Sequence, residues 1–198
     1  MKIKLLFLVS VLFLSGFTSQ KPAPVTDFLQ VKGPLTFQKT DHALAWSSHP
    51  TASYYKQEYL PAGQTVEKFT QMLLLEALVG DLSVMDVAKA QVRMLEERKK
   101  TDAVAQYQVI ENPENGEIIL DFTMSAGTAK AVSVVEWSAY RYKAFTDKNG
   151  TKGVMLFGVS KRGYDAAIPD FFKILQAERA DIINALGAYD VPSITVSK

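Results

Sequence analysis

The stretch over residues 57–80, QEYLPAGQTVEKFTQMLLLEALVG, constrains the rest of the chain most. Its aromatic start, ending at Tyr59-Leu60, reads as a strand. Pro61-Ala62-Gly63 then stops that strand, because Pro fixes φ and Gly permits φ > 0. Beyond the turn the spacing predicts a helix over 65–79. Thr65 is its N-cap, and Glu67 sits in the first turn, where the helix dipole favours an anion. Phe69, Met72, Leu73 and Ala77 recur at helical spacing, while Leu74, Leu75 and Leu78 widen the apolar stripe. A helix this apolar must be buried, so the chain needs a sheet for it to lie on.

The chain opens MKIKLLFLVSVLFLSGF: two lysines, an apolar run, then small residues. The apolar core, 5–14, broken only by Ser10, is shorter than the ~20 residues a bilayer span requires. Residues 1–19 therefore read as a secretory signal peptide cleaved near Ser19. Phe17 stands where a lipoprotein signal would carry Cys, so the expected product is periplasmic or secreted, without a lipid anchor or a membrane span. Cleavage removes Lys2 and Lys4 and no acid, and turns the net charge of +1 into −1. With no clustered basic footprint, nucleic acid is not an expected partner. The chain has no Cys, so its core must hold without disulfides. Residues 20–27, QKPAPVTD, form a flexible tether, and 28–198 suffice for a single domain.

Along that domain, 28–38 reads as a strand and 39–42 as a turn. A short strand over 43–47 is broken at His49-Pro50. A second helix spans 83–100, with Val84, Val87, Ala88, Val92 and Leu95 on one face. Two hairpins follow, over 103–124 and 132–161, turning at NPENG and DKNG, whose Asn-Gly pairs suit left-handed turn conformations. The last helix has Pro169 in its first turn and Gly187 beyond its end. Residues 191–196 add an edge strand or trail. The expected fold is α+β: one mainly antiparallel sheet of about six to eight strands with helices packed on it.

The order strand–EYLPAGQTVEKF–helix, then a four-strand meander and a C-terminal helix, resembles the PsbP-like α/β/α sandwich superfamily. That superfamily includes extrinsic photosystem subunits, a Ran-binding nuclear factor and small exported bacterial proteins; the leader sequence matches the last group. The resemblance implies a binding or accessory protein and supplies no catalytic set.

Asp41, His42 and His49 lack the ligand spacing of a metal site, and neither a metal nor another cofactor is expected. Ser53-Tyr54-Tyr55-Lys56 matches S-x-x-K, but positions i and i+3 of a strand face opposite ways. Glu136, inside Val-Val-Glu-Trp on the longest strand, is the carboxylate to watch. It shares a face with Tyr140 and Tyr142, and it either anchors a ligand in a cleft or pairs with an arginine such as Arg141 or Arg93. Six of the eight tyrosines fall on strands, and Tyr offers apolar area with a hydrogen-bonding tip. The candidate ligand-binding set is thus Tyr59, Tyr107, Glu136, Tyr140 and Tyr142, with no residue assigned to catalysis. The expected function is an exported, non-enzymatic protein that binds a protein partner or an apolar-aromatic small ligand. The alternative is a small hydrolase using Glu136 with a second carboxylate.

Overall fold

The computed structural model describes residues 25–31, 33–128 and 131–197. The expected signal peptide and most of the tether lie outside them. In chain order the elements begin with β1 (Leu35–Phe37), β2 (Thr40–Thr51), β3 (Tyr54–Leu60), β4 (Gln71–Val79) and helix α1 (Val84–Lys99). There follow β5 (Gln106–Asn112), β6 (Glu117–Thr128), β7 (Ala131–Thr146) and β8 (Lys152–Tyr164), a 3-10 turn (Asp165–Ala167) and helix α2 (Ile168–Ala188). All eight strands join one antiparallel sheet in the order β1-β2-β3-β4-β8-β7-β6-β5.

The predicted helix over 65–79 is not there. Residues 71–79 are strand β4, at the centre of the sheet between β3 and β8. Seven of its nine residues are buried, because the α2-side core covers one face while the Phe69 loop, with the α1-side core at Leu78, covers the other. A strand covered on both faces carries a continuous apolar run instead of alternation, and over so short a run that pattern also fits a buried helix. Thr65 caps no helix. It closes a tight loop by exchanging backbone hydrogen bonds with Lys68, at 3.2 and 3.1 Å. Pro61 and Gly63 do form the expected turn: Gly63 has φ +80° and the Gln64 amide donates to the Pro61 carbonyl.

Two smaller differences affect the opposite end. The strand expected over 28–38 shrinks to β1, joined to β2 by Gln38-Lys39, both at positive φ as a two-residue hairpin requires. Strand β2 runs through His49-Pro50, taking up the proline as a register shift between Ser48 and Thr51. Residues 191–197 make no strand of their own. They are laced to Leu29 and Phe28, whose carbonyls accept from the Thr195 and Ser197 amides at 2.9 and 2.8 Å.

The helices follow from their caps and faces. Ser83 accepts the Asp86 amide at 3.0 Å and donates to its carboxylate, so α1 starts where the polar face permits. Val87, Ala88 and Leu95 of α1 bury against Ile118, Leu120, Phe122, Tyr142 and Leu156. On the other face Leu175, Ile182 and Leu186 of α2 pack on Trp137, Ala139, Phe157 and Val159, each burial contributing about 1.5–3 kcal/mol. Asp121 clamps α2 to the sheet: both its oxygens accept from Arg179, at 2.9 and 2.8 Å, and Trp137 Nε1 donates to it at 3.2 Å. The layers are therefore helix, sheet, helix, and among the described residues no helix is long and apolar enough to cross a membrane.

Candidate functional site

Period-two alternation sorts each strand's side chains, and the pairing registers line them into rows across the α1 side of the sheet. One row runs Leu120–Tyr140–Gly158–Leu74–Glu58–Trp46, and the next Ile118–Tyr142–Leu156–Glu76–Lys56–Ser48. On the other side of the first row come Phe122–Ser138–Ser160–Met72, then Met124–Glu136–Arg162. Helix α1 packs over the β5–β6 end of these rows. Phe69, from the loop between β3 and β4, packs with Leu60, Met72 and Leu74 at the other end. Between these two covers lies a floor of charged and hydroxyl side chains.

Each charge on the floor has an identified neighbour. Glu136 Oε2 accepts from Arg162 Nε at 2.5 Å, and Ser138 Oγ donates to Glu136 Oε1 at 3.2 Å. Ser138 and Ser160, both buried, join their hydroxyls at 2.6 Å. The Arg162 guanidinium lies 4.2 Å from the Phe69 ring centroid, a cation–π contact that roofs the pair. Lys56 Nζ sits 2.9 Å from Glu58 and 5.9 Å from the centroid of the exposed Trp46. Burial alone would lower the Lys56 pKa, but Glu76, Glu58 and Glu136 together raise it, so the ammonium stays charged. Glu76, 7% exposed, accepts the Tyr54 hydroxyl at 2.7 Å. Burial first, and Glu76 second, push the Tyr54 pKa far up, so that phenol remains a donor.

Tyr140 occupies the centre. It faces Gly158, where an added Cβ would stand 2.3 Å from the ring, so only glycine lets the tyrosine lie down across β8. Phe122 holds the other side of the ring edge-on at 5.3 Å. Burial, then the fields of Glu76 and Glu136, raise the Tyr140 pKa well above its usual value. Both carboxylates thus act on one phenol, although they belong to different rows. The hydroxyl of partly exposed Tyr140 has no hydrogen-bond partner among the described residues, and that of fully buried Tyr142 has none either. The floor presents neutral donors flanked by ion pairs with a net charge of −1.

Of the five residues expected to bind, the structure brings Glu136, Tyr140 and Tyr142 together on this floor. Tyr107 shares the face but lies beyond α1 on edge strand β5, donating to Glu96 at 2.6 Å. Tyr59 is on the opposite face, fully buried in the α2-side core, its hydroxyl accepting from Gln57 at 2.6 Å. Glu136 is paired, but with Arg162 instead of Arg141, which binds Glu117 at 2.7 Å on the far side. Sequence reasoning missed Lys56, Glu58 and Glu76. The alternation of YYKQEYL does place Lys56 and Glu58 together, opposite Tyr55, Gln57 and Tyr59, whereas Glu76 was hidden in the misread helix. His42 is buried, with Nδ1 2.9 Å from the Thr40 carbonyl, and His49 stacks on Tyr55 at 3.9 Å.

A cleft of about 500 Å³ lies away from this floor, where α1 ends against β6 and β7. Its carboxylate, Asp102, is saturated by the Ser125 amide and hydroxyl, the Val104 amide and Arg98. Those bonds outweigh burial and hold the Asp102 pKa below its ordinary value.

A family model matches residues 29–191, nearly the whole described domain, and the chain belongs to that family, an uncharacterised one. No curated protein and no solved structure matches the chain. The fold stands as an open eight-stranded antiparallel sheet with two helices.

Proposed function

We propose that this is an exported, non-enzymatic binding protein that takes an apolar-aromatic small ligand on the α1-side face, over Tyr140. The observation that carries the reading is the Tyr140 hydroxyl, a partly exposed donor without a protein partner, set among carboxylates that are all paired and beside the buried, likewise unpartnered Tyr142 hydroxyl. A phenol in that position can accept or donate to a ligand without breaking an existing contact. Buried Phe69 and Leu74 wall the floor on one side, and the ion pairs fix it in advance, which lowers the ordering cost of binding.

Acid–base chemistry fits less well. Glu136 is committed to Arg162 and Ser138, Glu76 to Tyr54 and Glu58 to Lys56, so the floor offers no second free carboxylate for Glu136 to work with. The short apolar leader supports export. The helix–sheet–helix layering supports an accessory role of the PsbP-like kind, although the strand-to-helix step of that resemblance is replaced here by a loop and a strand.

The test is titration with a neutral aromatic probe, N-phenyl-1-naphthylamine, followed by probe fluorescence and by amide chemical shifts. Binding should shift amides around Tyr140, Gly158 and Phe69. Tyr140→Phe should weaken it by roughly two- to tenfold, the value of one neutral hydrogen bond. Shifts confined to the α2 side, or equal affinity for Tyr140→Phe and Tyr140→Ala, would overturn the assignment.

A further inference from the structure

The sheet ends on one side at β5, and of the usual edge protections this strand carries a single charge, Glu111. Edge strands avoid sideways pairing by being short, bulged, or carrying Lys or Pro. β5 is seven residues of QYQVIEN with no Lys, Pro or bulge, and it pairs with β6 in unbroken register from Gln106 to Asn112. Among the described residues no backbone bond reaches its outer side. At its middle, Val109 is an exposed large apolar side chain. The opposite edge is different: β1 has only three residues.

We propose that two copies of this chain join through β5, antiparallel about a twofold axis at Val109, to make one continuous sheet. The strand is complementary to itself in that register. Val109 meets Val109, Gln108 meets Ile110, Gln106 meets Asn112, and Tyr107 meets Glu111, so all seven residues find partners and no like charges face each other. A wrong register loses pairs: centring on Gln108 leaves Glu111 and Asn112 unmatched.

Charge chooses the second copy as the occupant. Lys99 of α1 stands 5.4 Å above the Tyr107 ring and 3.7 Å from Glu96, which also accepts the Tyr107 hydroxyl. Glu111 of the second copy, arriving opposite Tyr107 on the same face, therefore comes beside the Lys99 ammonium, which it shares with Glu96. The contact forms twice, once on each side of the axis. Because an axis through an antiparallel seam is perpendicular to the sheet, both α1 helices lie on one side, with the two Tyr140 floors facing the same way.

Sedimentation velocity and light scattering on the isolated chain, from about 1 to 100 µM, test this directly. The wild type should be a dimer. Glu111→Lys brings one like charge beside Lys99 at each of the two contacts, and Val109→Lys sets two ammonium groups at the axis. Both variants should be monomers with unchanged far-UV circular dichroism. Lys99→Glu alone should also dissociate, and the double variant Lys99→Glu/Glu111→Lys should recover the dimer. A wild-type chain that stays monomeric throughout this range, dimers that survive both lysine substitutions, or a double variant no more associated than its parents would each overturn the proposal.

Discussion

Removing Arg179 should cost more than its position on a helix surface suggests. The Arg179 side chain is 38% exposed and can relax into water, but its partner cannot: the Asp121 side chain is 4% exposed. In Arg179→Ala the carboxylate keeps only the Trp137 indole N–H, and it loses both hydrogen bonds from the guanidinium. Stranding a fully buried charge costs about 3–5 kcal/mol. The solvent that already reaches Arg179 reduces this to about 2–4 kcal/mol. In a domain of this size that is a fall in Tm of roughly 4–16 °C. Asp121→Asn is milder, about 1–2 kcal/mol, since the amide oxygen can still accept from Trp137 and the freed guanidinium turns to solvent. The reasoning is then decided by the double variant. If the penalty comes from an orphaned carboxylate, Asp121→Asn should partly rescue Arg179→Ala instead of adding to it. Urea denaturation followed by far-UV circular dichroism reads all four corners of the cycle. An Arg179→Ala loss below about 1 kcal/mol, or additive losses in the double variant, would refute the argument.

Three further outcomes follow from the same structure. Glu136→Gln leaves Arg162 about one-fifth exposed without its counter-ion and should lower stability by about 1–2 kcal/mol at pH 7; a variant melting above wild type would contradict the pairing. Asp102, whose folded pKa is depressed, contributes stability that is fully present above the unfolded carboxylate value, about 4, and is lost as pH falls through the folded one. Asp102→Asn should therefore be less stable at pH 7 yet show a flatter acid limb in melts between about pH 5 and 2, and an unchanged acid limb would count against this. Gly158→Ala drives a methyl into the Tyr140 ring and should cost about 1–3 kcal/mol and abolish binding of the aromatic probe over Tyr140; undiminished binding would mean the ring is not held as described.

Much of the sheet could be read from the chain, and the reason is solvent. Where one face is partly wet, as in β6, polar and apolar residues alternate and the strand announces itself. The Asn-Gly turns also gave the hairpins their direction, with Gly116 and Gly150 at φ +71° and +80°. Strand β4 failed on the same principle: dry on both faces, QMLLLEALV has no alternation to read, and its one charge, Glu76, is held by a tyrosine from β3 that only the sheet order reveals. The partner of Glu136 was nearer to hand. Once the turn between β7 and β8 is counted as residues 147–151, the register sets Glu136 directly across from Arg162. Counting the turn as four residues hides that pair, because a one-residue slip moves every side chain to the other face. Tyr59 was misplaced for a related reason: grouping tyrosines by strand ignores that Tyr59 and Tyr140 point away from each other through the sheet.

The lacing of residues 195–197 onto 28–29 has a topological consequence. Beyond the two amide bonds to Leu29 and Phe28, the Val196 amide donates to Asp147 at 3.1 Å and the Tyr55 hydroxyl reaches the Ser197 carbonyl at 3.3 Å. The domain's entry and exit strands of backbone therefore run side by side, and a linker of a few residues would span them. Such a chain can be closed into a ring and reopened elsewhere without moving a core residue, most readily at the exposed Asn115-Gly116 tip. In a circular permutant cut there, β5 and β6 become the two ends of the chain. The edge at β5 and the floor around Tyr140 would then depend on pairing between termini, while the seam that now joins the ends would lie within continuous backbone.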